Sequence, residues 1–102
     1  MIHLIQQRKS ELADLCRRYH VKTLALFGSA VEGNWEPGSS DLDFLVEFLP
    51  EASARIFAGY FDFKEALEHL FEHKVDLVMP GGIRNPYFRK AVQQNRVVLY
   101  AA

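Results

Sequence analysis

A single cysteine, Cys16, is all the thiol this chain carries, so an internal disulfide is excluded and a reducing, cytoplasmic setting is expected. No apolar run approaches the roughly 18 residues that a membrane helix requires. The opening residues, Met1-Ile2-His3-Leu4-Ile5-Gln6-Gln7-Arg8-Lys9, turn polar before a signal-peptide core can form. Excess charge is missing too. Lys and Arg total 12 against 13 Asp and Glu, and the pI is about 6.4, so no global basic field points to direct nucleic-acid binding. Internal repeats, low-complexity tracts and linker-like stretches are absent from the sequence as well. What remains is 102 residues, 49% of them apolar and 13% aromatic, read as a single domain over 1–102 with a modest core.

The most informative stretch runs from Leu24-Ala25-Leu26-Phe27-Gly28-Ser29 through Gly33 to Ser40-Asp41-Leu42-Asp43-Phe44-Leu45-Val46. Short apolar runs bounded by Gly, Ser and Pro read as buried strands. On an extended chain Asp41 and Asp43 point to the same face. Two like charges on a strand otherwise rich in Leu, Phe and Val are costly without a partner, and a metal ion is the simplest one. Gly28 lets a ligand approach the backbone closely. The turn expected over Ala30-Val31-Glu32, opening at Ser29, would offer backbone N–H groups to an anion. A plain turn with a serine N-cap is the simpler reading of Gly-Ser alone. Pro37-Gly38 suits a type II turn, and Trp35 is read as covering the core edge, with base stacking as the alternative.

Around this stretch the pattern predicts an amphipathic helix from about Ile2 to Tyr19, with Ile5, Leu12, Leu15, Cys16 and Tyr19 inward. Strands are expected over about Thr23 to Phe27 and Leu42 to Phe48, the second ended by Leu49-Pro50. Ser53 is the expected N-cap of a long helix from about Ala54 to His73. Ile56, Tyr60, Phe63, Leu67 and Leu70 form its inner stripe, widened by Phe57, Phe61 and Phe71, and Lys64, Glu65, Glu68 and Glu72 are expected in solvent. A third strand, Val75-Asp76-Leu77-Val78-Met79, brings one further acid. Asn85 with Pro86 behind it starts a helix reaching about Gln94, and Val97-Val98-Leu99-Tyr100 closes the chain as a strand. Arg84, Arg89, Lys90 and Arg96 make this the most basic part of the sequence.

Three carboxylates on neighbouring strands suit hard divalent cations that keep waters and substrate phosphates as remaining ligands. Two such ions roughly 3.5–4 Å apart clamp the attacking and leaving oxygens of an in-line phosphoryl displacement. Gly-Ser, a spacer of about ten residues and Asp-x-Asp, followed by an acid on a later strand, resembles the DNA polymerase beta nucleotidyltransferase superfamily. The sequence is most similar to its minimal nucleotidyltransferases, the MNT proteins paired with HEPN toxins, along nearly the whole chain. The resemblance implies an α/β (α+β) fold, a mixed sheet of about four strands with helices packed on it. It implies that Gly28, Ser29 and Ser40 bind the nucleotide and that Asp41 and Asp43 hold two Mg²⁺ ions. Asp76 would complete one metal site and help deprotonate the acceptor hydroxyl. One departure stands out: family members commonly carry Arg before the Gly that follows Gly-Ser, where this chain has Glu32 before Gly33.

The activity the resemblance implies is transfer of a nucleoside monophosphate, AMP from ATP or the equivalent from another NTP, onto a hydroxyl of a partner protein. A HEPN-type toxin is the expected partner, and a tyrosine the expected acceptor. The length leaves no room for a second domain to hold an acceptor, and the near-neutral charge argues against a nucleic-acid substrate. No membrane association is expected, and whether the chain self-associates stays open. The alternative is a binding module that neutralises the toxin by covering it, without catalysis.

Overall fold

The computed structural model describes residues 2–32, 41–50, 56–80 and 85–102. In chain order they form α1 (Ile2–Gln7), α2 (Lys9–Arg18), β1 (Val21–Phe27), α3 (Ser29–Glu32), β2 (Leu42–Phe48), α4 (Ile56–Phe71), β3 (Val75–Val78), α5 (Pro86–Asn95) and β4 (Val97–Ala101). The strands build one mixed sheet in the order β3-β2-β1-β4. β1 pairs antiparallel with β2 and with β4, whereas β2 and β3 run parallel. A parallel pair needs a long crossover, and α4 lies in that connection.

Alternation along the strands divides the core in two. Leu24 and Leu26 of β1, Leu42, Phe44 and Val46 of β2, and Val75 and Leu77 of β3 point to one face. There they meet Ile5 of α1, Leu12 and Cys16 of α2, and Phe63, Leu67 and Phe71 of α4. Aromatic pairs tie the helices down: Phe44 stacks on Phe71 at 6.0 Å, and Phe48 meets Phe63 edge-on at 6.2 Å. On the opposite face a smaller cluster of Ala25, Phe27, Leu45 and Val92 lies between the sheet and α5. Burial pushes the Cys16 thiol up to about 12, against a weaker pull from Arg17, which makes it a core residue rather than a reactive one.

The inward positions expected for the first helix hold, but the helix is not continuous. Arg8, with ψ 19°, separates α1 from α2. Its N–H donates to the Ile5 carbonyl at 3.1 Å, the i→i−3 bond of a tightened helix end. No glycine or proline stands at this break. Two further expectations are corrected in α4. Phe61 is 62% exposed and lies outside the core stripe, its ring turned edge-on to Tyr60 at 5.2 Å. Glu68 is not simply solvated: its Oε2 accepts the Val75 N–H at 3.2 Å and so anchors the start of β3. Ser53, Trp35, Pro37, Gly38 and Arg84 lie outside the described residues, as do the side chains of Ile56, Phe57 and Arg89.

Two helices end on a residue in the left-handed region: His20 (φ 57°) after α2 and Glu72 (φ 55°) after α4. The turn at His20 is held by its carbonyl, which accepts the Leu49 N–H at 2.8 Å from the end of β2. α5 starts as the sequence predicts. The Asn85 side-chain oxygen accepts the N–H groups of Tyr87 at 2.9 Å and Phe88 at 3.3 Å, with Pro86 in the first turn.

Candidate active site

Strand register brings the acids together. Asp43 of β2 pairs with Phe27 of β1 on one side and with Asp76 of β3 on the other. Within their strands Asp43 shares its side with Leu45 and Asp76 shares its side with Val78, so both carboxylates belong to the face that α5 covers. Leu42 donates its N–H to the Lys74 carbonyl at 2.9 Å, which fixes the level at which the parallel pair begins. Asp41 lies one residue ahead of β2 and is exposed; Asp43 is half-buried and Asp76 exposed.

The electrostatics of the group centre on Asp43. Its carboxyl is raised from the ordinary 3.8 to about 6, first by desolvation and then by the negative charges of Asp76 and Asp41. Asp76 and Asp41 therefore both oppose the ionisation of Asp43, adding to the larger effect of its burial. A cation there would remove both penalties, and three carboxylates are the hard-oxygen donor set that Mg²⁺ prefers. Among the described residues no group of three or more His, Cys, Asp or Glu side chains is arranged to hold a metal ion.

Gly28 lies against the same carboxylate. It adopts φ +74°, the left-handed region that glycine enters without steric cost. A β-carbon built on it would stand 2.3 Å from Asp43 Oδ2 and 3.2 Å from Asp43 Cγ. The strand-to-helix turn thus demands glycine twice, for its backbone angle and for the room it leaves. Val31 donates its N–H to the Gly28 carbonyl at 3.1 Å, which closes the turn into α3. Ser29 opens α3 and Glu32 ends it, as the sequence predicts, but their side chains are outside the described residues; Ser40 lies outside them altogether.

Other residues around the acids are not singled out by motif. A cavity of about 300 Å³ is lined by Phe27, Gly28, Asp43 and Asp76 from the sheet side and by Phe88, Ala91, Val92 and Asn95 from α5. Phe88, Val92 and Asn95 stand at i, i+4 and i+7, the helical spacing from which their common face was legible. Phe88 meets Phe27 edge-on at 6.3 Å. Behind the sheet, the Tyr60 hydroxyl donates to the Leu77 carbonyl, next in chain to Asp76. Desolvation, and secondarily the Asp76 charge, raise the Tyr60 hydroxyl. The phenol therefore senses the site from the opposite layer, a contact its place in an apolar stripe does not announce. A larger groove of about 560 Å³ between α2 and α4 contains none of the three acids.

Comparison with known proteins gives this geometry a context. The sequence profile described as "Nucleotidyltransferase domain" matches residues 9–99. A relative named protein adenylyltransferase MJ0128, from Methanocaldococcus jannaschii, is 34% identical, with 86% of this chain and 94% of the relative covered. A solved structure described as a minimal nucleotidyltransferase superposes with a TM-score of 0.75 at 30% identity, covering 91% of this chain and 90% of the other. The fold also matches a chain in a solved structure described as a tri-AMPylated Shewanella oneidensis HEPN toxin in complex with MNT antitoxin. There the TM-score is 0.61 at 18% identity, with 95% of this chain and 72% of that one covered. At such identity the likeness is one of fold. The mixed four-stranded sheet with its helices is thus the minimal nucleotidyltransferase fold, and this chain belongs to the nucleotidyltransferase-domain family.

Proposed function

We propose that this chain moves AMP from ATP onto a hydroxyl of a partner protein, a HEPN-type toxin, and neutralises the toxin by doing so. One observation carries the chemistry. Asp43 faces Asp76 in register, is held against Gly28, and resists ionisation, through desolvation first and the charges of Asp76 and Asp41 second. A site that suffers this repulsion without a cation is suited to bind one. The protein acceptor is supported by the name that the 34%-identical relative carries, protein adenylyltransferase. The toxin is supported by the MNT antitoxin of matching fold, found in complex with a tri-AMPylated HEPN toxin.

Asp41 and Asp43 would hold the two Mg²⁺ ions, and Asp76 would complete one of the sites. Bound there, Mg²⁺ supplies neutralisation of phosphate charge and of the oxygens that attack and leave. Gly28 brings bare backbone up to the triphosphate, with Ser29 and Ser40 as further nucleotide contacts. Asp76, exposed at the cavity mouth, takes the proton of the acceptor hydroxyl as its oxygen bonds to the α-phosphorus and the bond to pyrophosphate breaks. Positioning and charge do most of the work in phosphoryl transfer, which suits a site with so few functional groups.

The test is protection by a site variant. Asp41→Asn with Asp43→Asn removes the metal ligands without changing side-chain volume, and the variant is expected to fold, to lose the thermal shift given by ATP with Mg²⁺, and to stop protecting cells from the toxin. Full protection by the folded variant would mean that the chain acts by covering its partner.

A further inference from the structure

Of the two strands that carry an acid, β3 has the less secure place. It is four residues long, lies at the edge of the sheet and has β2 as its one neighbouring strand among the described residues. Backbone N–H and C=O groups of a strand point to its two edges alternately, residue by residue. The Lys74 carbonyl takes the Leu42 N–H at 2.9 Å, and Leu42, Asp43 and Phe44 pair with Val75, Asp76 and Leu77. Lys74 and Asp76 therefore direct their backbone groups to β2, and Val75 and Leu77 direct theirs to the outer edge. Both of these residues are buried, at 4% and 3% exposure, so polar groups left unpaired there cost free energy. Side chains of α4 supply partners. Glu68 Oε2 accepts the Val75 N–H at 3.2 Å, and the Tyr60 hydroxyl donates to the Leu77 carbonyl. Two side chains about two turns apart on α4 thus bracket Asp76, one bonded to the residue before it and one to the residue after.

We infer that Tyr60 and Glu68 are positioning residues for Asp76: they hold the β3 backbone from the helix layer, so that the third carboxylate keeps level with Asp43. The inference rests on the functional reading above and adds the groups that set the geometry of its acids. Asp76 faces Asp43 in register, and like charges facing each other on adjacent strands push apart. At an edge strand no further strand balances that push, and the two bonds from α4 oppose it. Desolvation first and the Asp76 charge second raise the Tyr60 hydroxyl, so the bracket and the acid are close enough to act on one another. Groups behind a ligand that fix its orientation govern how well it holds a cation. The competing account is that the same bonds only cover the polar edge of β3, with no consequence for the acids.

Nuclear magnetic resonance titration with Mn²⁺ alone separates the two accounts without requiring turnover. Mn²⁺ is expected to broaden the backbone amides of Asp43 and Asp76 in the wild-type chain. Tyr60→Phe, which removes one oxygen, should raise the Mn²⁺ concentration at half-broadening about fivefold, the value of one hydrogen bond. Glu68→Ala should do the same. Glu68→Gln has the same charge as Glu68→Ala but can still accept the Val75 N–H, so it should return the wild-type half-point. Edge covering alone would lower thermal midpoints and leave the half-points, taken well below those midpoints, alike. A Tyr60→Phe half-point within about twofold of wild type overturns the inference, and so does a Glu68→Gln half-point equal to that of Glu68→Ala. If Glu68→Ala does not fold, Tyr60→Phe decides. Failure of the functional reading looks different: Mn²⁺ then leaves the wild-type amides of Asp43 and Asp76 unbroadened, and this inference falls with it.

Discussion

Replacing Gly28 by Ala puts the closest contact of the site to a quantitative test. Two separable costs are expected. Holding a residue with a β-carbon at φ +74° costs about 1–2 kcal/mol. The added carbon would also stand 2.3 Å from Asp43 Oδ2, 3.2 Å from its Cγ and 3.4 Å from its Cβ, so turning the carboxylate away relieves only part of the crowding. Overpacking of this kind adds about 1 kcal/mol. The sum, about 2–3 kcal/mol, corresponds to roughly 10–20 °C in Tm for a chain of this size. Urea melts of wild type, Gly28→Ala, Asp43→Ala and the double variant separate the terms. With the Asp43 oxygens and Cγ gone, Gly28→Ala should cost only the backbone part, leaving a coupling energy of about 1 kcal/mol. Equal costs in both backgrounds, to within about 0.3 kcal/mol, would refute the close approach of Asp43 to the turn.

Two further outcomes follow from other residues. The folded-state value for Asp43, about 6, lies above its ordinary 3.8, so the folded protein binds this proton more tightly. Its stabilising effect is fully present below about pH 3.8 and is lost as the pH rises through 6. The ceiling is about 3 kcal/mol at roughly 1.4 kcal/mol per pH unit, and solvent screening at a half-exposed side chain reduces it to about 1. Asp43→Asn should therefore be more stable than wild type at pH 7.5 and lose that advantage by pH 4, in metal-free urea melts; a pH-independent difference would contradict this. At the exposed end of α4, Glu72→Gly relieves a φ of 55°. Left-handed strain relieved less the extra chain entropy of glycine leaves a gain of about 0.5 kcal/mol. A drop in midpoint would show that the Glu72 side chain makes up for its backbone.

The site-bearing frame was legible in the sequence because local and long-range signals agree there. β2 occupies the predicted Leu42–Phe48, and Asn85-Pro86 starts α5 as a capped helix should. Asp43 stood out because an acid in an apolar strand conflicts with burial, and a conflict of that kind marks function; Asp41 joined it by its two-residue spacing and Asp76 by its place on a later strand. Less was legible where tertiary contacts decide. Nothing in the residues around Arg8 signals that the first helix breaks. Phe61 fits the periodicity of the α4 stripe, yet it is exposed, because a stripe wider than the sheet beneath it leaves its margin in solvent. Glu68 reads as a surface charge until the Val75 amide is found within its reach. The aromatic pair at the cavity was hidden because Phe27 and Phe88 are 61 positions apart in the chain and meet only when α5 folds back over the sheet.

The central claim is that these three acids and the glycine turn transfer AMP to a protein. Its most direct measurement uses ATP carrying label on either the α- or the γ-phosphate, with Mg²⁺, this chain and the HEPN-type partner. The account predicts that the partner acquires label from the α-position alone, at a hydroxyl, and that Asp43→Asn abolishes the transfer while the variant remains folded. Label arriving from the γ-position, or equal labelling by the folded Asp43→Asn variant, would contradict it.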